Sequence, residues 1–308
     1  MGISNPQNMV ALIAGPTASG KTALALHLAQ SGNFEIINAD SAQVYSDLPI
    51  LSAQPTADEQ RSVPHHLFGY IDGVTPCSAA RWATDAKHAI AQALAAGTTP
   101  ILVGGSGLYI RTLLDGIAPI PEVDPILRAE IRAMPVDQAY AALQTYDAPV
   151  AASLAPTDVS RITRALEVVQ STGRSISSWR ATKTGGISDD IILRPLLLLP
   201  PRDWLYDRCD KRFELMMERG AIDEVAALLA RGLPQDAPVM RAIGVPEIAA
   251  YIKGTISRAE AIALGQIATR QYAKRQFTWF RNQAPTDWPR ENAIVNDSNI
   301  DNFEIKFQ

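Results

Sequence analysis

The sequence predicts an α/β fold built on a parallel sheet, and three observations carry that reading. A glycine-rich octad, Gly15-Pro16-Thr17-Ala18-Ser19-Gly20-Lys21-Thr22, follows a short apolar run and opens a segment of good helix formers. Downstream, apolar runs alternate with helical periodicity, the order that parallel strands joined by crossover helices require. Three of the apolar runs end in polar or glycine-rich turns, Gly15–Thr22, Asp40–Tyr45 and Gly104–Tyr109. Ligands of open parallel sheets collect at the carboxyl ends of the strands, so these turns are predicted to converge.

Taken in order, Met9–Ala14 reads as a buried strand and Thr22–Ala29 as the helix after the octad. Phe34–Ala39 is a second strand and Pro100–Val103 a third. Between them, Ala79–Ala96 places Trp82, Ala86, Ile90 and Ala93 on one helix face. The Pro- and Gly-rich stretch 116–125 leads into helical segments Asp124–Met134, Val136–Tyr146 and Pro156–Thr172. Ile191–Leu199 returns as a core strand, and helices follow over Arg202–Arg231, Glu247–Lys253 and Ser257 to about Asn282. The organisation predicted is a core of residues 1–120 and 191–284, a helical insertion over 121–190 and a mixed, acidic tail over 285–308.

Composition bounds the function. The 308 residues are 47% hydrophobic and 19% charged, ordinary for a globular chain. A net charge of −4 carries no global sign of nucleic-acid binding, so any RNA surface must be local. Cys77 and Cys209 form neither a metal-ligand spacing nor a disulfide framework, which points to a reducing compartment. Residues 1–8 lack a basic segment followed by an apolar core, and the longest apolar stretches are strand-length. A soluble, cytoplasmic protein with no membrane association is expected.

The octad matches G-x-x-x-x-G-K-[ST], so the fold predicted is a P-loop NTPase-like sheet with flanking helices and a helical insertion domain. Its glycines let backbone N–H groups point at one anion, and the following helix N-terminus adds partial positive charge. Lys21 supplies a point charge and the Thr22 hydroxyl can hold Mg²⁺. A phosphate or pyrophosphate is therefore expected here, while the chemistry stays open.

Asp40, at a strand end, can hold Mg²⁺ through water, act as a general base, or merely cap a turn. Ser106 offers a hydroxyl in a turn whose glycines allow close backbone approach. Tyr109 by default packs in the core. Arg161 and Arg164 share a helix face and suit phosphate contacts, or form a solvated face paired to Glu167. Arg212 lies in Asp210–Phe213, which could reach over leaving phosphates and otherwise reads as surface. On the helix 269–281, Arg270, Lys274 and Arg281 fall within about 40° of one another. Phe277 lies among them, Tyr272 and Trp279 face the other way, and no acid occurs between Glu260 and Asp287. A basic stripe of this kind suits a polynucleotide backbone, the alternative being ordinary solvated arginines.

In this order the motifs Gly15–Thr22, Asp40–Tyr45, Pro64–Leu67, Gly104–Tyr109, Arg161–Glu167, Arg212-Phe213, Arg241–Gly244 and Thr269–Arg281 resemble the tRNA dimethylallyltransferase family, which prenylates adenosine-37 beside the anticodon. The resemblance implies that Gly15–Thr22 bind the pyrophosphate of dimethylallyl diphosphate, with Mg²⁺ at Thr22. It implies that Asp40 takes a proton from the adenine amine, that Arg212 clamps the pyrophosphate, and that Ser106 (usually threonine) contacts the target nucleotide. Ser41, Ala42 and Gln43 would line the flipped base. The tRNA anticodon stem-loop would be touched by Arg128, Ser160, Arg161, Ile162, Thr163, Arg164, Arg241, Gly244, Arg270, Lys274, Arg275, Gln276, Phe277, Thr278, Trp279 and Arg281. Leu51–Pro55 lacks the family's usual lysine, Gly244-Val-Pro246 lacks its usual aromatic and charge, and position 42 is alanine where many members have arginine. A monomer is expected. The rival readings are a small-molecule phosphoryl-transfer kinase and a non-catalytic RNA-binding protein using the loop as a nucleotide sensor.

Overall fold

The computed structural model describes residues 8–296 and 298–307. Of the segment read as lacking a signal sequence, residues 1–7 lie outside the described ones. The chain forms two compact units, Met1–Leu113 with Ser188–Gln308, and Leu114–Ile187. In chain order, β1 (Met9–Ala14) leads through the glycine-rich octad into α1 (Lys21–Ser31). There follow β2 (Phe34–Asn38), α2 (Ala57–Ser62), β3 (His65–His66), α3 (Ala79–Ala95), β4 (Thr99–Gly104) and α4 (Gly107–Asp115). Next come α5 (Pro125–Ala133), α6 (Val136–Tyr146), α7 (Ala148–Ala152), α8 (Val159–Thr172) and α9 (Ile176–Arg180). The chain returns through β5 (Ile192–Leu198), α10 (Arg202–Glu218), α11 (Ala221–Ala230), α12 (Val245–Ile252), α13 (Arg258–Gln283) and β6 (Arg290–Glu291).

The first unit holds a six-stranded sheet in the order β3-β2-β4-β1-β5-β6. Every pairing in it is parallel. All residues of β1 and β4 are buried, as expected of central strands covered on both faces. Because β2, β4 and β1 are neighbours, the three functional turns leave one edge of the sheet at adjacent positions, about 5 Å apart per strand. The predicted convergence is thus a consequence of strand order. A break at Gly220, whose φ of 108° suits glycine, separates α10 from α11.

The segment 285–308, expected as a tail, belongs to this unit. Leu197 and Leu198 of β5 pair with Arg290 and Glu291 of β6. Val295, Phe303 and Phe307 join the core cluster built around β1 and α1. Ile300, Phe303 and Phe307 recur at i, i+3 and i+7, a helical spacing too short to be distinguished from a mixed, acidic tail by pattern alone.

In the second unit, α5 to α8 enclose a core of Leu143, Ile162, Leu166 and Val168. Four of the helices α5 to α9 begin at Asp124, Asp147, Asp158 and Ser175, whose side chains accept from first-turn N–H groups, while α6 begins at Pro135 with no side-chain cap. The unit begins at Leu114 and ends at Ile187, where the sequence placed an insertion over 121–190. An antiparallel bridge between Ile117 and Thr184 closes it, with both N–H···O distances 3.0 Å. The Pro- and Gly-rich stretch 116–125 therefore lies inside the unit.

Candidate active site

The octad curls around the N-terminus of α1. Gly15, Ala18 and Gly20 have φ of 154°, 64° and 97°. A Cβ on Gly15 would sit 2.3 Å from the Leu198 carbonyl oxygen, so the loop lies against β5 where no side chain fits. Ala18 takes the left-handed conformation without the freedom of glycine, a strain typical of functional loops. Lys21 is buried, and its Nζ donates to the Pro16 carbonyl at 2.6 Å. Burial lowers its pKa to about 8, with the Asp40 carboxylate opposing the shift and the Arg212 guanidinium adding to it.

Arg212 projects from α10 to donate to the Thr17 hydroxyl. Its Nε and the Ser19 hydroxyl are buried without a hydrogen-bond partner among the described residues. Two unanswered donors, one in the anion-shaped loop and one reaching it from α10, suit a diphosphate. Arg212 had read as surface without the family resemblance. It is held inward because the neighbouring Phe213 packs on Gly265 of α13, where a Cβ would fall 2.0 Å from the ring.

Asp40 follows β2. Its Oδ1 accepts from the Ala42 N–H at 3.0 Å, so the turn-capping reading holds. The same side chain lines two cavities. One, of about 240 Å³, is formed by the octad with Asp40 and Arg212. The other, of about 320 Å³, shares Thr17, Asp40 and Arg212 and is walled by Tyr45, Leu48, Leu51, Phe213 and Met216. A cationic, phosphate-shaped compartment and a largely apolar one therefore meet at one carboxylate. This joint is what an allylic diphosphate requires, because its ends differ in polarity.

The third turn reaches the same place. The Ser106 N–H donates to the Ala39 carbonyl at 3.1 Å. The Ser106 hydroxyl accepts from the Ser41 N–H at 2.8 Å and donates to Ser41 Oγ at 3.0 Å. Each glycine of Gly104-Gly-Ser-Gly has its own neighbour: Gly104 lies against the Ala39 backbone, Gly105 against the Gln276 amide and Gly107 against the Trp279 ring.

A family model described as IPP transferase matches residues 43–283. The chain belongs to the IPP transferase family. A tRNA dimethylallyltransferase of Sphingopyxis alaskensis is 61% identical over 300 residues, spanning 97% of this chain and 98% of that one. One from Erythrobacter litoralis is 57% identical over 97% of this chain and 93% of its own length. The crystal structure of the tRNA isopentenylpyrophosphate transferase of Bacillus halodurans, 33% identical, covers 97% of each chain with a TM-score of 0.69. A eukaryotic dimethylallyltransferase whose crystallographic snapshots were taken acting on tRNA is 29% identical and reaches a TM-score of 0.77, over 89% of this chain and 70% of that one.

This IPP transferase distributes its other predicted site residues unevenly. Around the joined cavities lie Ser41, Arg241, Tyr272 and Arg275. Ala42 is exposed, and the Gln43 amide donates to the Ser52 and Ala53 carbonyls at 2.9 and 2.8 Å, shaping the 43–54 loop. Gly244 is buried, caps α12 with a φ of 95° and lies against Leu51 and Phe213, leaving no surface to meet RNA. In the second unit, Ser160 and Arg161 are exposed. Ile162 is fully buried in that unit's core, and Thr163 is buried with its hydroxyl donating to Val159. Neither side chain can touch a polynucleotide, because both lie on the apolar face of α8. Glu167, 1% exposed, accepts from Arg132 at 2.9 Å and Arg164 at 3.2 Å, with Arg128 3.9 Å away.

Two readings of α13 change in this transferase. Arg270, placed in the basic stripe, is paired to Asp210 of α10 at 2.6 Å, an acid the local sequence did not reveal. Tyr272, expected on the backing face, lies inward and lines the apolar cavity together with Ser41, with burial raising its phenol pKa. Lys274, Arg275 and Arg281 are exposed. Thr278 and Trp279 are half-buried, with Arg111 stacked 4.9 Å from the Trp279 ring. Phe277 packs beside Leu205 and Cys209 under Arg202. Gln276 is buried and faces the loops, contrary to a direct side-chain contact with tRNA. The missed signal was a polar residue inside the stripe Thr269, Ala273, Gln276, Phe280, whose 4-3-4 spacing marks a buried face.

The residues also fit Mg²⁺. No cluster of three or more His, Cys, Asp or Glu suited to a metal occurs among the described residues. Mg²⁺ commonly needs only one or two protein oxygens beside phosphate and water, and Thr22 and Asp40 line one cavity.

Proposed function

We propose that this enzyme transfers the dimethylallyl group of dimethylallyl diphosphate to N6 of adenosine-37 in tRNAs reading codons that begin with U, releasing diphosphate. The observation that carries the reading is the pair of cavities, one cationic and one apolar, sharing Asp40, Thr17 and Arg212. The names of the relatives, tRNA dimethylallyltransferases at up to 61% identity, support the same substrates.

The exocyclic adenine amine is a weak nucleophile because its lone pair is delocalised into the ring. It attacks only when the nucleotide is turned out of the anticodon-loop stack and its proton is accepted as the bond forms. Asp40 accepts that proton. The N6–C bond forms as the allylic C–O bond breaks, and the C–O electron pair leaves on the diphosphate. The octad amides, Lys21 and Arg212 stabilise the negative charge growing there. The Thr22 hydroxyl would hold Mg²⁺, which supplies further charge neutralisation on the diphosphate oxygens. Arg241, Lys274, Arg275 and Arg281, exposed in the same unit, would meet the acceptor's phosphates; Arg161, considered within its own unit, is likewise exposed and suited to phosphate contact. The protein works as a monomer in the cytoplasm; no helix among the described residues is long and apolar enough to cross a membrane.

The test is one assay with two arms: labelled dimethylallyl diphosphate or labelled ATP, each with unmodified tRNA. Label entering tRNA only from the prenyl donor supports the reading. ATP turnover without transfer means a kinase, and tRNA binding without either reaction means a non-catalytic protein. Asp40→Ala should bind tRNA normally while transfer falls by about 10²- to 10⁴-fold; retained turnover removes Asp40 from the role.

A further inference from the structure

The side chain of Gln276 is 6% exposed and both ends of its amide are used. Oε1 accepts from the Thr17 N–H at 2.8 Å, and Nε2 donates to the Gly105 carbonyl at 2.9 Å. Thr17 lies in the diphosphate loop and Gly105 in the turn that carries Ser106, so one amide joins the donor side of the site to the acceptor side. The contact is tight: a Cβ on Gly105 would come 2.1 Å from Nε2. One helical turn on, Trp279 fills the space beside Gly107 in the same way. Helix α13 is therefore seated on the glycine-rich turn at two points while exposing Lys274, Arg275 and Arg281.

Each bonded partner leads to a reacting group. The Thr17 hydroxyl accepts from Arg212, and Ser106, next to Gly105, holds the Ser41 amide beside Asp40. The amide thus stands between the leaving-group clamp and the base. A side chain so placed is withdrawn from RNA, since it is 6% exposed and both ends of its amide already serve backbone groups in bonds that are costly to abandon.

We propose that Gln276 is a positioning residue that fixes the distance between the diphosphate loop and the Ser106 turn, so that α13, by meeting tRNA on its exposed face, holds both halves of the site in reacting register. The inference rests on the transfer reaction proposed above.

The experiment compares wild type with Gln276→Leu, Gln276→Glu and Gly105→Ala. Leucine removes both bonds. Glutamate keeps the acceptor for Thr17 and turns an oxygen toward the Gly105 carbonyl. Alanine at 105 pushes on the same amide from the other side. Each variant should bind unmodified tRNA within twofold of wild type, by filter binding without donor, while kcat at saturating tRNA falls tenfold or more and the donor KM rises. Amide exchange at Thr17 should also be faster in Gln276→Leu than in wild type, because its protecting acceptor is gone. A tRNA affinity weakened fivefold or more with kcat unchanged overturns the proposal in favour of direct contact. Unchanged kcat and unchanged Thr17 exchange overturn it as well. If wild type itself transfers no dimethylallyl group, the reaction reading fails separately, and the Thr17 exchange still decides the loop-fixing role of Gln276. Gln276→Glu, which preserves volume, gives the kinetic split if leucine lowers the melting temperature.

Discussion

The Ser106 hydroxyl receives the Ser41 N–H at 2.8 Å and returns a hydrogen bond to Ser41 Oγ at 3.0 Å. These residues belong to turns after two adjacent parallel strands, so the exchange locks one turn to the other next to Asp40.

Ser106→Ala removes the acceptor for a part-buried N–H. Leaving such a donor unmatched costs about 1–3 kcal/mol, or roughly five- to hundredfold in rate if the cost falls on the transition state. A drop of that size in kcat/KM is expected. Ser106→Thr keeps the hydroxyl, adds the methyl usual in the family and should remain within about threefold of wild type. Steady-state kinetics with both variants check the pair.

Lys21, with its pKa near 8, should impose a pH profile on donor binding. The ammonium is present below that value and lost as pH rises through it. Calorimetric Kd for dimethylallyl diphosphate is expected to be flat below about pH 7 and to weaken above 8, and Lys21→Met should erase the inflection. The stability effect has the opposite sense. Above pH 8 the folded lysine has lost its proton while the unfolded one, with a pKa of about 10.4, retains it, so the Lys21 contribution to stability rises through that window. An inflection that survives Lys21→Met assigns it to another group.

The cations of α13 should separate by function. Arg270 is tied to Asp210, so Arg270→Ala should lower stability by about 1 kcal/mol and leave the salt dependence of tRNA binding nearly unchanged. Lys274→Ala and Arg281→Ala should instead weaken tRNA binding and flatten the log K against log salt slope by about 0.7–0.9 each. Equal slope changes for all three would mean that Arg270 leaves its partner on binding.

Glu167, buried in the second unit, holds two guanidiniums by hydrogen bonds. Glu167→Gln retains the shape but loses the charge, and should destabilise that unit by about 1–3 kcal/mol in urea melts. No change in the melt would make the arginine cluster a solvated surface feature.

The elements that could be read from the sequence are those in which one local pattern suffices. The G-x-x-x-x-G-K-[ST] octad after an apolar run names its own conformation, and the 3.6-residue period over Val136–Tyr146 falls on a helix with those bounds. Arg212 was legible only through family resemblance, because its partner Thr17 lies far back in the chain. Gln276 was placed on the wrong side of α13 because hydrophobic periodicity treats polar residues as outward-facing, whereas Tyr272, read on the face opposite the basic stripe, does point inward. The partners of Gln276, Thr17 and Gly105, are brought under that helix only by the fold.

The sequence alone determined the phosphate loop, the alternation of strands and helices and the family, since each rests on residues adjacent in the chain or on motifs in a set order. Tertiary structure decided which side chains share a cavity, which arginines are neutralised and where the C-terminal segment lies. Those outcomes depend on contacts between residues far apart in sequence, such as Asp210 with Arg270 and Val295 beside Gly20, and a local pattern carries no information about its distant partner.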